Sequence, residues 1–163
     1  MVKLCIKMDL SDKVQNLPFD FKNLDYKKFP DPQFDANNEF LLGEMFNDKL
    51  DENKHDLNYM NHKGWKNFAW CFYKLRPGCW VPPHKDHYHN YAKFYEVENR
   101  NKIKRAMVFL EDWKPGHVFG MNNEIIINWK SGETYEWSYD VEHWGGNFGT
   151  EDRYTLQLTG TQF

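Results

Sequence analysis

Cysteine is scarce in this 163-residue chain: Cys5, Cys71 and Cys79 are odd in number and show no CxxC spacing. That argues against a disulfide framework and for a reducing, cytoplasmic setting. Excess charge is also missing, since the formal net charge is only -3. A dedicated nucleic-acid or membrane-surface protein would carry a stronger basic balance, so neither partner is expected. No apolar run is long enough to span a bilayer. The opening stretch, residues 1–12, is broken by Lys7 and Asp9 and does not resemble a signal peptide. Internal repeats and low-complexity tracts are absent, and no segment has a βαβ pattern. What is plentiful is aromatic: 18% of residues, including 7 Trp. That composition suits a β-rich fold around a lined cavity.

The length predicts one domain spanning residues 1–163, large enough to bury a real core. Within it, residues 1–64 read as a supporting region and 65–163 as the functional core. In the first part, residues 2–8 alternate apolar and polar, as an edge strand does. Phe40, Leu41, Met45, Phe46 and Leu50 fit one helix face over residues 38–56, with Asn37 or Asn38 as cap. This region is expected to pack outside the sheet that follows. From Trp65 onward the pattern changes to short strands: 68–75, 103–110, 117–121, 124–129, 134–139 and 154–159, with Trp80-Val81-Pro82-Pro83 between the first two. Residues 87–101 read as a polar loop rich in Tyr and Asn. Strands at this spacing predict a sandwich or jelly roll.

His84-Lys85-Asp86 is the stretch with the most chemistry in it. On an extended strand, residues two apart point to the same side, so His84 and Asp86 can reach one ion from a sheet edge. A second imidazole must come from elsewhere, and His143, 59 residues further on, is available. Two imidazoles and one carboxylate on one face of an ion leave positions open, which is the ligand set of non-haem Fe(II) oxygenases. His87 and His89 read as solvent-facing side chains on the loop. His117 reads as the start of a strand, and His55 and His62 have no evident partner. Arg153, Thr155, Gln157 and Thr159 share one face of the last strand, opposite Tyr154, Leu156 and Leu158. Arginine heading such a stripe fits either an anion held in a cavity or a salt bridge at a strand end.

Taken together, His84-x-Asp86, His143 and Arg153-x-Thr155 resemble the Fe(II)/2-oxoglutarate-dependent dioxygenases. Residues 105–113 resemble the strand after the His-x-Asp loop of that family. Trp129 to Glu133, with Trp137, resembles the hairpin before its distal histidine. Asn147 and the ten-residue step from His143 to Arg153 are similar to the aspartyl/asparaginyl and prolyl hydroxylase branches. The resemblance covers about residues 68–160. It implies a mainly β, double-stranded β-helix (jelly roll, cupin-like) with one or two helices from the N-terminal half packed outside. It implies that His84, Asp86 and His143 are catalytic and hold Fe(II), and that Arg153 and Thr155 bind the far carboxylate of 2-oxoglutarate. Dioxygen is the other cosubstrate, succinate and CO2 are the products, and a small molecule or peptide is the substrate. Asp86 favours hydroxylation, because related halogenases carry a small residue there. Arg105 reads as the solvated end of the basic run 100–105, with contact to a cosubstrate or substrate carboxylate from the head of an inner strand as its alternative. Trp144, Tyr73 and Trp137 read as core packing, with the pocket wall as their alternative. The rival readings are a non-oxygenase cupin-like metal-binding protein and a structural jelly-roll module, for example a viral one.

Overall fold

The structure is a computed structural model that describes residues 6–9, 44–46 and 64–162. The strands are β1 (Ile6–Asp9), β2 (Glu44–Phe46), β3 (Trp65–Leu75), β4 (Trp80–His84), β5 (Ile103–Phe109), β6 (His117–Met121), β7 (Glu124–Ile126), β8 (Glu133–Ser138), β9 (His143–Asn147) and β10 (Arg153–Gln162). One short helix, α1 (His89–Phe94), and a 3-10 turn at Arg100–Lys102 lie between β4 and β5. The strands form a six-stranded sheet ordered β1-β8-β5-β10-β3-β2 and a four-stranded sheet ordered β4-β9-β6-β7.

From β3 onward the antiparallel pairings nest. β3 pairs with β10, β4 with β9, β5 with β8, and β6 with β7. The chain behaves as one long hairpin folded across itself, passing repeatedly from one sheet to the other. This is the expected double-stranded β-helix. Its tip is a two-residue turn, Asn122-Asn123, with φ of 50° and 69°. Two successive positive φ values match the natural strand twist in a hairpin, and asparagine tolerates them better than most residues. The nesting brings residues from distant parts of the chain side by side, and the candidate site depends on it.

The core lies between the sheets, where Met107, Phe109, Phe119, Met121, Trp129, Trp137 and Val141 are buried together. Phe109 stacks on Trp129 with ring centroids 3.9 Å apart. Each such side chain contributes roughly 1.5–3 kcal/mol through the apolar surface it removes from water. Ala106, Val108, Leu156 and Leu158 alternate with the inward residues of β5 and β10 and are also fully buried. Both faces of these central strands are therefore shielded from water.

Three local expectations differ from the structure. The helix read over 38–56 is a strand where it is described: Glu44–Phe46 pairs with Lys74, Tyr73 and Phe72 of β3. Pairing along the edge of an eleven-residue strand outweighs a helical apolar pattern. The rest of that stretch lies outside the described residues. The loop read over 87–101 contains α1. Tyr91 and Tyr95, one helical turn apart, pack with tilted rings 4.8 Å between centroids, and their hydroxyls donate to the carbonyls of Asn67 and Phe68. Those contacts stabilise a helix too short to hold on its own. His143–Asn147, with its two glycines, lies outside the strand ranges read from the sequence, although a distant strand was expected to supply His143, and it runs between β4 and β6. The edge strand expected near the start is present as β1, at the margin of the larger sheet. No described helix is long and apolar enough to cross a membrane.

Candidate metal centre

Pro82 and Pro83 have no N–H to donate to a ladder, and the β4–β9 register shifts between Val81 and His84. After the shift, His84 and His143 are direct cross-strand partners, with ring centroids 4.3 Å apart. Asp86 is not on the strand, as had been expected. β4 ends at His84, and Asp86 lies in the turn that leads to α1. That turn returns its carboxylate to the imidazoles. Oδ1 is 3.9 Å from His84 Nε2, and Oδ2 is 3.4 Å from His143 Nε2. One ligand atom from each residue lies within 4.8 Å of the other two.

Both imidazoles are set in the same way. His84 Nδ1 is 2.8 Å from the Pro82 carbonyl, and His143 Nδ1 is 3.1 Å from the Val141 carbonyl. A carbonyl only accepts, so each Nδ1 carries the proton and each Nε2 presents its lone pair toward Asp86. His143 is buried beside the ring of Trp137, 4.7 Å between centroids. Burial pushes its pKa down to about 4, against the opposing pull of Asp86. The imidazole is therefore neutral at physiological pH, as a metal ligand must be. Burial works against ionisation of Asp86. Arg105, the two histidines and Tyr88 outweigh it and hold the carboxyl below the usual range.

Arg153 and Thr155 head β10 on its inward face. Gly145 is two residues past His143 on the same face of β9, and a Cβ there would lie 2.7 Å from Arg153 Nη2. The guanidinium thus lies against bare backbone, one inward step from His143. Nη1 donates to the carbonyls of Val118 at 2.5 Å and Gly146 at 3.4 Å. Among the described residues it forms no ion pair, and neither its Nε nor Thr155 Oγ1 has a hydrogen-bond partner. Arg153 is 5% exposed and Thr155 0%. Burial lowers the arginine pKa to about 10, so it stays charged at neutral pH. A surface salt bridge, the alternative left open by the strand pattern, is excluded by that burial.

Other residues resolve as follows. Arg105 is not the solvated end of a basic run. Its Nε lies 3.3 Å from Asp86 Oδ2, and its Nη1 bonds Gln157 Oε1 at 2.5 Å. Period-two alternation with inward Met107 and Phe109 was the signal that placed it inside. Tyr88, which had no signal, donates its hydroxyl to Asp86 Oδ2 at 2.7 Å. Trp137 packs on His143. Trp144 faces the other way, across Gly120, where a Cβ would meet its ring. Asn147 is a brace, its amide donating to the carbonyls of Leu75 and Glu151 at 2.7 Å each. His87 and His89 are exposed, and His117 bonds the Glu151 carbonyl at 3.0 Å.

No family model and no curated protein matches this chain. Solved structures do resemble it. One is a predicted oxalate decarboxylase from Thermotoga maritima, at 18% identity and TM-score 0.45, over 73% of this chain and 80% of that one. Another is a prolyl-4-hydroxylase from Pseudomonas putida, at 17% identity and TM-score 0.47, over 66% of this chain and 58% of that one. A third is an uncharacterized protein with a double-stranded β-helix domain from Klebsiella pneumoniae, at 12% identity and TM-score 0.41, over 60% and 70%. These likenesses concern shape; the chemistry rests on the side chains described above.

Proposed function

We propose that the protein is an Fe(II)- and 2-oxoglutarate-dependent oxygenase that hydroxylates an unactivated C–H bond of an amino acid or peptidyl side chain. Succinate and CO2 are the accompanying products. The observation that carries this reading is the buried Arg153 guanidinium, one inward step from a His-Asp-His group and with no acidic partner among the described residues. A buried cation calls for an anion, and a planar fork of N–H donors suits a carboxylate. Thr155 Oγ1 supplies a further hydroxyl on the same face. A protein that only bound metal would have no use for this second, cationic position.

His84 Nε2, His143 Nε2 and a carboxylate oxygen of Asp86 are the residues to hold the iron. The donor set fits a ferrous ion: two imidazoles fixed through Nδ1, that of His143 neutral, and one ionised carboxylate. When bound, iron and 2-oxoglutarate supply the oxidising power, with dioxygen, for C–H hydroxylation. The chain's own part is positional. Arg153 and Thr155 fix the cosubstrate's far end, the two backbone carbonyls fix the imidazoles, and Trp137 closes off the side of His143.

The test is a turnover screen with Fe(II), ascorbate and 2-oxoglutarate against amino acids and short peptides, reading succinate. It is paired with thermal shifts in Mn(II) alone and in Mn(II) plus N-oxalylglycine. The expected results are succinate formation, lost in His84→Ala, Asp86→Ala and His143→Ala, and a further stabilisation by N-oxalylglycine. Metal stabilisation with no response to N-oxalylglycine would leave a metal-binding protein that is not an oxygenase. No response to metal would leave a structural jelly roll.

A further inference from the structure

Asp86 is held asymmetrically. Oδ2 receives the Tyr88 hydroxyl at 2.7 Å and lies 3.3 Å from Arg105 Nε and 3.4 Å from His143 Nε2, while Oδ1 lies 3.9 Å from His84 Nε2. The two holding groups also hold each other, since the Arg105 guanidinium sits 5.1 Å over the Tyr88 ring. Arg105 is anchored in turn by Gln157 of β10. Tyr88 adopts a left-handed backbone conformation, φ 50° and ψ 29°, immediately before α1. An aromatic residue in that region carries strain that the surrounding structure must offset. α1 does so, tied down by the Tyr91 hydroxyl to the Asn67 carbonyl and Thr161. The strain is thus retained at the residue that delivers a hydroxyl to Asp86.

We infer that Tyr88 and Arg105 are positioning residues for the metal ligand: they hold Oδ2 of Asp86 and fix the carboxylate plane between the two imidazoles. This rests on the proposed metal centre. The arrangement answers a problem set by the turn. Asp86 lies beyond the end of β4, where no ladder restrains it, whereas both histidines are held by strands and carbonyls. A carboxylate on a turn can rotate, bind through both oxygens, or swing away. A hydroxyl hydrogen bond from Tyr88 and the adjacent Arg105 charge remove that freedom. They also neutralise the buried charge before any ion arrives. Arg105 exerts two opposite effects on a cation, since its charge repels while its contact orients the ligand. The orienting effect dominates, because the charge of Arg105 is already compensated by Asp86.

Cobalt(II) titration of the purified protein tests this, read by visible d–d absorption and by affinity without any turnover. Tyr88→Phe and Arg105→Met are compared with wild type, each first checked for folding by thermal denaturation. Both variants are expected to bind Co(II) about tenfold to a hundredfold more weakly, with a shifted band pattern. Arg105→Lys should restore binding only in part, because one ammonium cannot span Asp86 and Gln157 as the guanidinium does. Should Arg105→Met unfold, Tyr88→Phe alone decides, because it keeps the ring and removes only the hydroxyl. Wild-type affinity and spectrum in a folded Tyr88→Phe protein would overturn the inference. So would tighter Co(II) binding in Arg105→Met, which would make the guanidinium a competitor for the carboxylate. If wild-type protein itself failed to bind Co(II), the metal centre would fall and this inference with it; unchanged variants of a cobalt-binding wild type would remove the inference alone.

Discussion

Gly145 and Arg153 are in contact through a missing side chain: a Cβ on the glycine would stand 2.7 Å from the arginine Nη2. The glycine makes room for a charged group inside the barrel. Its position also ties the two halves of the site together, because it follows His143 by two residues on the same face of β9.

Gly145→Ala should therefore displace the guanidinium without disturbing the imidazoles. The expected result is a raised Michaelis constant for 2-oxoglutarate with Co(II) affinity near wild type. Gly120→Ala is the control on the opposite face. There the new methyl would meet the ring of Trp144. It should cost about 1–3 kcal/mol of stability, seen by denaturant unfolding, and leave the cosubstrate constant unchanged. Equal effects of both substitutions on that constant would show that Gly145 acts only through general packing.

Arg153→Ala removes the cation itself. The loss of a charge-assisted pair of this kind is worth about 2–4 kcal/mol, or roughly 30- to 1000-fold in 2-oxoglutarate affinity. Binding measured by titration calorimetry on the Mn(II)-loaded protein checks this directly. An affinity unchanged from wild type would place the dicarboxylate elsewhere.

The pH dependence of the metal-free protein should carry the signature of His143. Its folded pKa is about 4 because it is buried, whereas in the unfolded chain it is near 6.5. Between those two values the unfolded state binds the extra proton. Stability therefore falls as pH is lowered from about 6.5 to about 4, by roughly 3 kcal/mol in all. Above pH 6.5 the term is flat. Denaturant unfolding of wild type and His143→Ala in chelator, over this range, isolates it: the wild-type advantage should shrink as pH drops. A constant difference across the range would mean that His143 is protonated in the folded protein.

Asn147→Ala should destabilise the protein and spare the metal ligands. The amide satisfies the Leu75 and Glu151 carbonyls at 2.7 Å each, joining the end of β3 to the turn that starts β10. Leaving a buried carbonyl unpaired costs about 1–3 kcal/mol. A shift in the unfolding midpoint, with normal Co(II) binding, is the expected outcome. Loss of cobalt binding in a folded variant would assign Asn147 a role at the metal.

Much was already legible in the chain as a string of residues. Short runs of strand-forming residues between turn signals marked β5, β6, β8 and β10. Period-two alternation placed Arg153 and Thr155 on one face of the last strand. Local chemistry determines such features, so they can be read without coordinates. Other features depended on groups far away along the chain. The cross-strand meeting of His84 and His143 arises from nested pairing of strands about 60 residues apart. The strand at His143–Asn147 has poor intrinsic preference and forms because β4 and β6 flank it. Arg105 looked like part of a basic run until the sheet turned it toward Asp86. Alternation with Met107 and Phe109 gives the face of the strand it lies on, but whether that face turns a charged side chain toward water or toward a buried carboxylate is settled by the long-range packing around it.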